Sequence, residues 1–228
     1  MLIDNPGLRD KLYVFKDRFD AGLRLAEMLS AYKESGAIVI ALPAGGMPVA
    51  AVIAEKLRLQ LDVAVVSKIT LPWTTEAGFG AVAFDGTVLL NEHLLPGLGL
   101  SNEQIQRRIT LTKEKVARRN QKLRGDKAIP DLSDKPVFLV DDGIASGITM
   151  QTAVKAIKKL NPGRIMIAVP TAHSDSLAHL TGMADDIYCA NVRSSFSFAV
   201  ADAYKEWHDL GESETAEILQ RFKKAFPH

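Results

Sequence analysis

Thirteen consecutive residues limit what this chain can fold into: Val137-Phe138-Leu139-Val140-Asp141-Asp142-Gly143-Ile144-Ala145-Ser146-Gly147-Ile148-Thr149. The first four are apolar and read as a short buried strand, with two adjacent acids where its carboxyl end meets a turn. Gly143 and Gly147 let the main chain bend closely around a ligand. A helix beginning near Ile148 directs its unpaired amide N–H groups and positive dipole end at that turn. Ser146 and Thr149 add hydroxyl donors. The combination is a phosphate cradle beside a carboxylate pair. Acids ahead of a Gly-rich turn also suit an ordinary strand-to-helix connection in which they cap the helix, so this stretch alone leaves both readings open.

The rest of the chain repeats the same strand-then-helix grammar. Asp17 caps a helix whose apolar positions Leu25, Met28, Leu29 and Tyr32 fall at helical spacing. A strand over 37–42 leads through Pro43-Ala44-Gly45-Gly46 into a helix from about Met47 to Leu57. Ala37 to Ala54 holds no charged residue and approaches the length of a membrane span, but Pro43, Gly45, Gly46 and Pro48 break it into strand, loop and buried helix. Val63-Ala64-Val65-Val66 reads as a second buried strand ending at Ser67-Lys68. Residues 69–80 have no clear period and are expected to form a mobile loop. Asp85-Gly86, flanked by 80–84 and 87–90, signals a hairpin.

Ser101 and Gln104 open a long helix with a capping box, and its charges, including Arg107, Arg108, Lys113, Arg118 and Arg119, read as a solvated face. A helix to Leu160, a strand over 164–169, a helix over 174–180 and a strand over 186–190 follow, and the tail over about 197–226 reads as mainly helical. Strands alternating with helices predict an α/β fold: one domain over 1–228, with a parallel sheet covered by helices on both faces. Ligands of such sheets bind beyond the carboxyl ends of the strands.

A formal net charge of +1 provides no field for nucleic acid or an anionic membrane, so any anion must be held by a local site. The single cysteine, Cys189, lies in an apolar run and reads as a buried core residue; with no internal disulfide possible, a reducing compartment, the cytoplasm, is expected. The five histidines form no metal-ligand motif. Gly-x-Gly-x-x-Gly and the P-loop pattern are both absent.

Residues 137–149 resemble the phosphoribosyl-pyrophosphate signature of the type I phosphoribosyltransferases. Leu42 to Ala50 resembles that family's pyrophosphate loop. The likeness extends over about Phe15 to Leu219, taking in Lys68, the loop after it, and Phe198-Ala199-Val200 with Tyr204 and Trp207, and is nearest to the stand-alone bacterial and archaeal group. It implies a Rossmann-like core with a small hood, and transfer of phosphoribosyl from phosphoribosyl pyrophosphate to a nitrogenous base or similar small acceptor with release of pyrophosphate, dependent on Mg²⁺. By the same likeness Asp141 and Asp142 would contact the ribose hydroxyls and the metal. Gly143, Ile144, Ala145, Ser146, Gly147 and Thr149 would bind the 5′-phosphate, and Ala44, Gly45 and Gly46 the pyrophosphate. A homo-oligomer, a dimer, is the family expectation.

Two positions depart from the pattern. Ala44 stands where the pyrophosphate loop usually carries a basic residue, which favours an alternative: a nucleotide-binding regulator without turnover. Ala145 stands where enzymes acting on 6-oxopurines place an acid, which disfavours hypoxanthine or guanine. A different ribosyl-phosphate-processing reaction is a third reading. Lys68 ends a strand on the expected active edge and reads as phosphate-facing or as a surface lysine. Trp73 and Glu76 lie in the loop, Trp73 either closing over a base or anchoring the loop. Phe196 and Phe198 follow the last strand, where they would stack on a base or pack the tail.

Overall fold

In a strand buried on both sides, successive side chains must satisfy two different cores, and Ile38–Ala41 and Val137–Val140 do so. Val39, Ala41, Phe138 and Val140 enter one apolar cluster, while Ile38, Ile40, Val137 and Leu139 enter the other. The computed structural model, which describes residues 1–74 and 77–226, builds a mixed α/β fold on this alternation. In chain order the elements are β1 (Leu2–Asp4), α1 (Arg18–Met28), β2 (Ile38–Ala41), α2 (Gly46–Leu57), β3 (Gln60–Val63), β4 (Val66–Thr70), β5 (Gly78–Ala83) and β6 (Val88–Leu90). They continue as α3 (Asn102–Arg124), β7 (Pro136–Val140), α4 (Ile148–Lys158), β8 (Arg164–His173), α5 (Ser174–Leu180), β9 (Asp186–Arg193) and α6 (Glu212–Ala225).

Six strands pair in the order β1-β9-β8-β7-β2-β3, every neighbour parallel. Helices α1, α2, α3 and α6 contribute to one cluster, and α4 and α5 to the other. β2 and β7 are adjacent, with Ala41 opposite Val140. The turns that follow them therefore emerge side by side, although about a hundred residues separate them in sequence. β4, β5 and β6 form a separate antiparallel sheet. Its Asp85-Gly86 hairpin is as expected, with Gly86 at φ +83° and Lys159 Nζ donating to Asp85 Oδ2 at 2.8 Å.

Several elements differ from the sequence reading. Val63 to Val66 is not one strand: Val63 ends β3 in the parallel sheet and Val66 begins β4 in the antiparallel one. All four residues are buried, so their apolar run reports burial without saying which sheet provides it. The loop expected over 69–80 is shorter, because β4 runs to Thr70 and β5 starts at Gly78. β1 pairs with β9 at the sheet edge through only three residues, too few for any period to register. The tail is helical only at Val200–Ala203, a single 3₁₀ turn, and in α6. Between them the chain is drawn out by backbone bonds from Lys205 to Phe15 and from Glu206 to Lys16.

The largest correction concerns α3. Of the charges read as a solvated face, Arg108 and Arg119 turn toward the protein and donate to backbone carbonyls, and Arg124 at the helix end likewise reaches a carbonyl and a carboxylate. Arg124 Nη1 lies 2.5 Å from Asp62 Oδ1, both side chains nearly inaccessible. Among the described residues no helix is long and apolar enough to cross a membrane.

Candidate active site at the carboxyl edge of β2 and β7

The chain leaves β7 through Asp141 and Asp142 and turns at once. The turn is stitched to its neighbour strand: Ile144 N–H donates to Thr171 O at 3.0 Å, and His173 N–H returns a bond to Ile144 O at 3.0 Å. Ser176 Oγ–H also donates to Ala145 O. Gly147 then adopts φ +76°, a left-handed conformation that any side chain would strain, and caps α4. The first intrahelical bond runs from Gln151 N–H to Gly147 O, which leaves the amides ahead of it aimed into the turn. A cleft of about 160 Å³ lies there, lined by Lys68, Asp141, residues 143–147, Thr149, Met150 and Val200.

The two acids face different ways. Asp141 lines the cleft. Asp142 points beneath the Pro43–Gly46 loop, so close that a Cβ on Gly45 would overlap its Oδ2. Arg18 Nε donates to that same oxygen at 2.8 Å, with both side chains largely buried. Arg18 is held in turn by Trp207, whose ring centre is 3.8 Å from its Cζ, and by a bond from Nη1 to His208 O at 2.9 Å. Tyr204 Oη–H donates to Asp142 O at 2.5 Å. Burial pushes the Asp141 carboxyl well above the usual carboxylate range, and the charge of Asp142 adds to this. Burial raises Asp142 as well, opposed by Arg18.

The second turn, after β2, lies directly over this pair. A Cβ on Gly46 would overlap Val140 O, so only glycine lets the two turns approach. The Pro43–Ala44 peptide is cis. Gly46 N–H is already donated to Leu42 O at 3.0 Å, whereas the amides of Ala44 and Gly45 have no protein acceptor among the described residues. Of the three amides expected to meet pyrophosphate, two therefore remain available. No basic side chain belongs to the loop itself, but Arg119 of α3 reaches it, Nη2 donating to Pro43 O at 3.1 Å.

Lys68 is on the cleft, its stem lying along Gly78 of the neighbouring strand. Trp73 is 65% exposed and so does not anchor its loop on the core, and Phe196 is fully exposed; neither lines the cleft. Phe198 packs in the tail, 4.8 Å from Arg193 Cζ and 5.6 Å from the His173 ring. Glu76 lies outside the described residues. Arg18 escaped the sequence reading, Arg119 was read only as part of a solvated helix face, and Val200 only as part of the tail's likeness. Arg18 follows a helix cap where any charged residue is at home, and nothing local marks it for the Trp207 ring 189 residues away. A larger groove, about 400 Å³, runs between α2 and α6, but its lining is chiefly apolar. The convergence of turn amides, the Asp141 carboxyl and a lysine sets the 160 Å³ cleft apart from it.

Among the described residues no three His, Cys, Asp or Glu side chains cluster as a metal site. The oxygen donors present still fit Mg²⁺, which commonly takes one or two carboxylates and completes its shell with water and substrate phosphates. Asp141 offers such a carboxylate on the cleft wall.

Comparison with known proteins places the fold in a family. The sequence profile of the phosphoribosyl transferase domain matches residues 85–206. The chain is 33% identical over 216 residues to two Mycobacterium tuberculosis proteins, "Putative phosphoribosyl transferase Rv0571c" of strain H37Rv and "Putative phosphoribosyl transferase MT0597" of strain CDC 1551. These alignments cover 93% of this chain and 48% of each relative, so the chain spans about half the length of the curated proteins it matches. Among solved structures, that of TT1426 from Thermus thermophilus superposes with a TM-score of 0.73 at 28% identity, covering 91% of this chain and 98% of that one. With its profile matched across the carboxylate pair and the glycine turn, the chain belongs to the phosphoribosyl transferase family.

Proposed function

We propose that this chain transfers phosphoribosyl from phosphoribosyl pyrophosphate to a small nitrogenous acceptor, releasing pyrophosphate in an Mg²⁺-dependent reaction. The observation that carries the reading is the pairing of two turns on adjacent strands, one with an amide-lined cleft and one with unpaired amides, on either side of the acid pair. The 5′-phosphate sits in the turn 143–149, where helix α4 and the Ser146 and Thr149 hydroxyls favour an anion. Asp141 accepts hydrogen bonds from the ribose hydroxyls. Pyrophosphate lies toward Ala44 and Gly45.

The acceptor nitrogen attacks C1 of the ribose as the bond from C1 to the pyrophosphate oxygen breaks, and the acceptor's N–H proton passes to solvent. Charge builds on the leaving pyrophosphate, and oriented amides with Lys68 stabilise it there. Mg²⁺, when bound, supplies further neutralisation of the pyrophosphate oxygens. Asp142 is committed to Arg18 and shapes the floor between the two turns rather than facing the substrate.

A second reading, a nucleotide-binding regulator, is favoured by Ala44, which leaves the pyrophosphate loop without its own basic side chain. One assay separates the two. The protein is given phosphoribosyl pyrophosphate and Mg²⁺ with a panel of bases, and pyrophosphate release is followed alongside ligand-induced thermal stabilisation. Turnover with one acceptor supports the enzyme. Stabilisation without release across the panel supports the regulator, and neither response overturns both.

A further inference from the structure

Arg119 stands on α3, far in sequence from both glycine turns, yet its guanidinium meets both parts of the active edge. Nη2 donates to Pro43 O at 3.1 Å, Nη1 donates to Ser67 Oγ at 3.0 Å, and Nε faces Glu212 Oε1 of α6 at 3.2 Å. Pro43 opens the loop that offers the Ala44 and Gly45 amides, and Ser67 precedes Lys68. One planar fork thus ties the loop after β2 to the strand that presents the lysine. The side chain is 12% exposed, so these bonds form in a partly desolvated setting where a guanidinium–carbonyl contact is strong.

The charge it brings is not fully cancelled. Glu212 is its carboxylate partner and is shared with Lys122, whose Nζ lies 3.5 Å from the other carboxylate oxygen. Burial holds the Arg119 guanidinium below its ordinary value, with Glu212 opposing. Partial desolvation pushes Lys115, one turn earlier, in the same direction; Arg119 and Arg118 add to this and Glu212 opposes it. Positive charge is in surplus behind the loop, where an incoming anion would relieve it.

We infer that Arg119 is a positioning residue for the pyrophosphate half of the site: from α3 it fixes the Pro43–Gly45 loop and the start of β4, and supplies from behind the positive field that Ala44 cannot. This rests on the phosphoribosyl reading, and the two are tested separately with two probes on the full-length chain, pyrophosphate with Mg²⁺ and ribose 5-phosphate, by calorimetric titration. Wild type is expected to bind both. Arg119→Met is expected to weaken pyrophosphate binding about tenfold or more while ribose 5-phosphate, held by the turn 143–149, changes by less than about twofold. Arg119→Lys keeps the charge without the fork and should fall between wild type and the Met variant. Should Arg119→Met fail to fold, the Lys variant bears the test through the same ratio of the two affinities.

Unchanged pyrophosphate binding in the variant, or equal weakening of both ligands, overturns the role assigned to Arg119 while leaving the phosphoribosyl site intact. A wild-type protein that binds neither probe overturns the functional reading and this inference with it.

Discussion

Replacing Arg18 by methionine isolates the most exacting electrostatic arrangement in the molecule. The methionine retains the apolar stem and removes the charge. Lost with it are the 2.8 Å pair to Asp142, the 2.9 Å bond to His208 O and the contact with the Trp207 ring. Breaking a buried pair by deleting one partner costs about 3–5 kcal/mol, because the surviving charge is left desolvated and uncompensated. The bond and ring contact are included in that range rather than added to it, since groups in one network do not add. For a chain of this size about 1 kcal/mol corresponds to roughly 2–4 °C, so the melting temperature should fall by roughly 6–20 °C.

The deficit should depend on pH with a definite sign. Burial raises the carboxyls of Asp141 and Asp142 above their ordinary value near 3.8, and Arg18 opposes that rise. A carboxyl raised in the folded state holds a proton that the unfolded chain has released. Its contribution is therefore fully present below the unfolded value and is lost as pH rises through the folded one. Without Arg18 that window widens, so the variant's deficit should be smallest in mild acid, where only the His208 bond and the Trp207 contact are missing, and grow progressively toward neutrality. Calorimetric melts of chelator-treated protein across pH measure this directly. Arg18→Met combined with Asp142→Asn should recover most of the loss at neutral pH. A melting temperature within about 2 °C of wild type, or a double variant no better than the single, refutes the argument.

Gly45→Ala should cost about 1–3 kcal/mol, since the new methyl overlaps Asp142 Oδ2 and must displace the carboxylate or the loop. Gly97→Ala, with open space around it and an ordinary backbone, should stay within about 0.5 kcal/mol in the same denaturant titration. Cys189 is buried, and that burial pushes its thiol pKa up, so an aromatic disulfide reagent at mild alkaline pH should label it only at the rate of unfolding. Rapid labelling of the native protein would count against the packing around β9.

The parts that were legible in the sequence share one property: their chemistry is local. An apolar run, two acids and two glycines announce a strand, a turn and a helix start within thirteen residues, and the structure builds them there. The Asp85-Gly86 hairpin and the Ser101–Gln104 capping box were readable for the same reason. What escaped depends on contacts across long stretches of chain. Arg18 and Asp142 are 124 residues apart, and Arg119 and Pro43 are 76 apart. A charged helix face looks solvated in sequence whichever of its arginines the fold later turns inward. The division of labour between Asp141 and Asp142 was hidden as well, since neighbouring acids at a strand end carry no mark of which one a distant arginine will claim.

The turn over 143–149 is laced to β8 and α5 through main-chain bonds at Ile144 and His173 and a serine hydroxyl at Ala145. On the proposed function, an anion entering there would meet a main-chain frame already ordered by folding, so little of its binding free energy would go to arranging the turn. Trp73 and Phe196, by contrast, extend into solvent from the chain beyond this frame. On the proposed function, exchange of these outlying aromatics should leave that frame, and with it the binding of ribose 5-phosphate, unchanged.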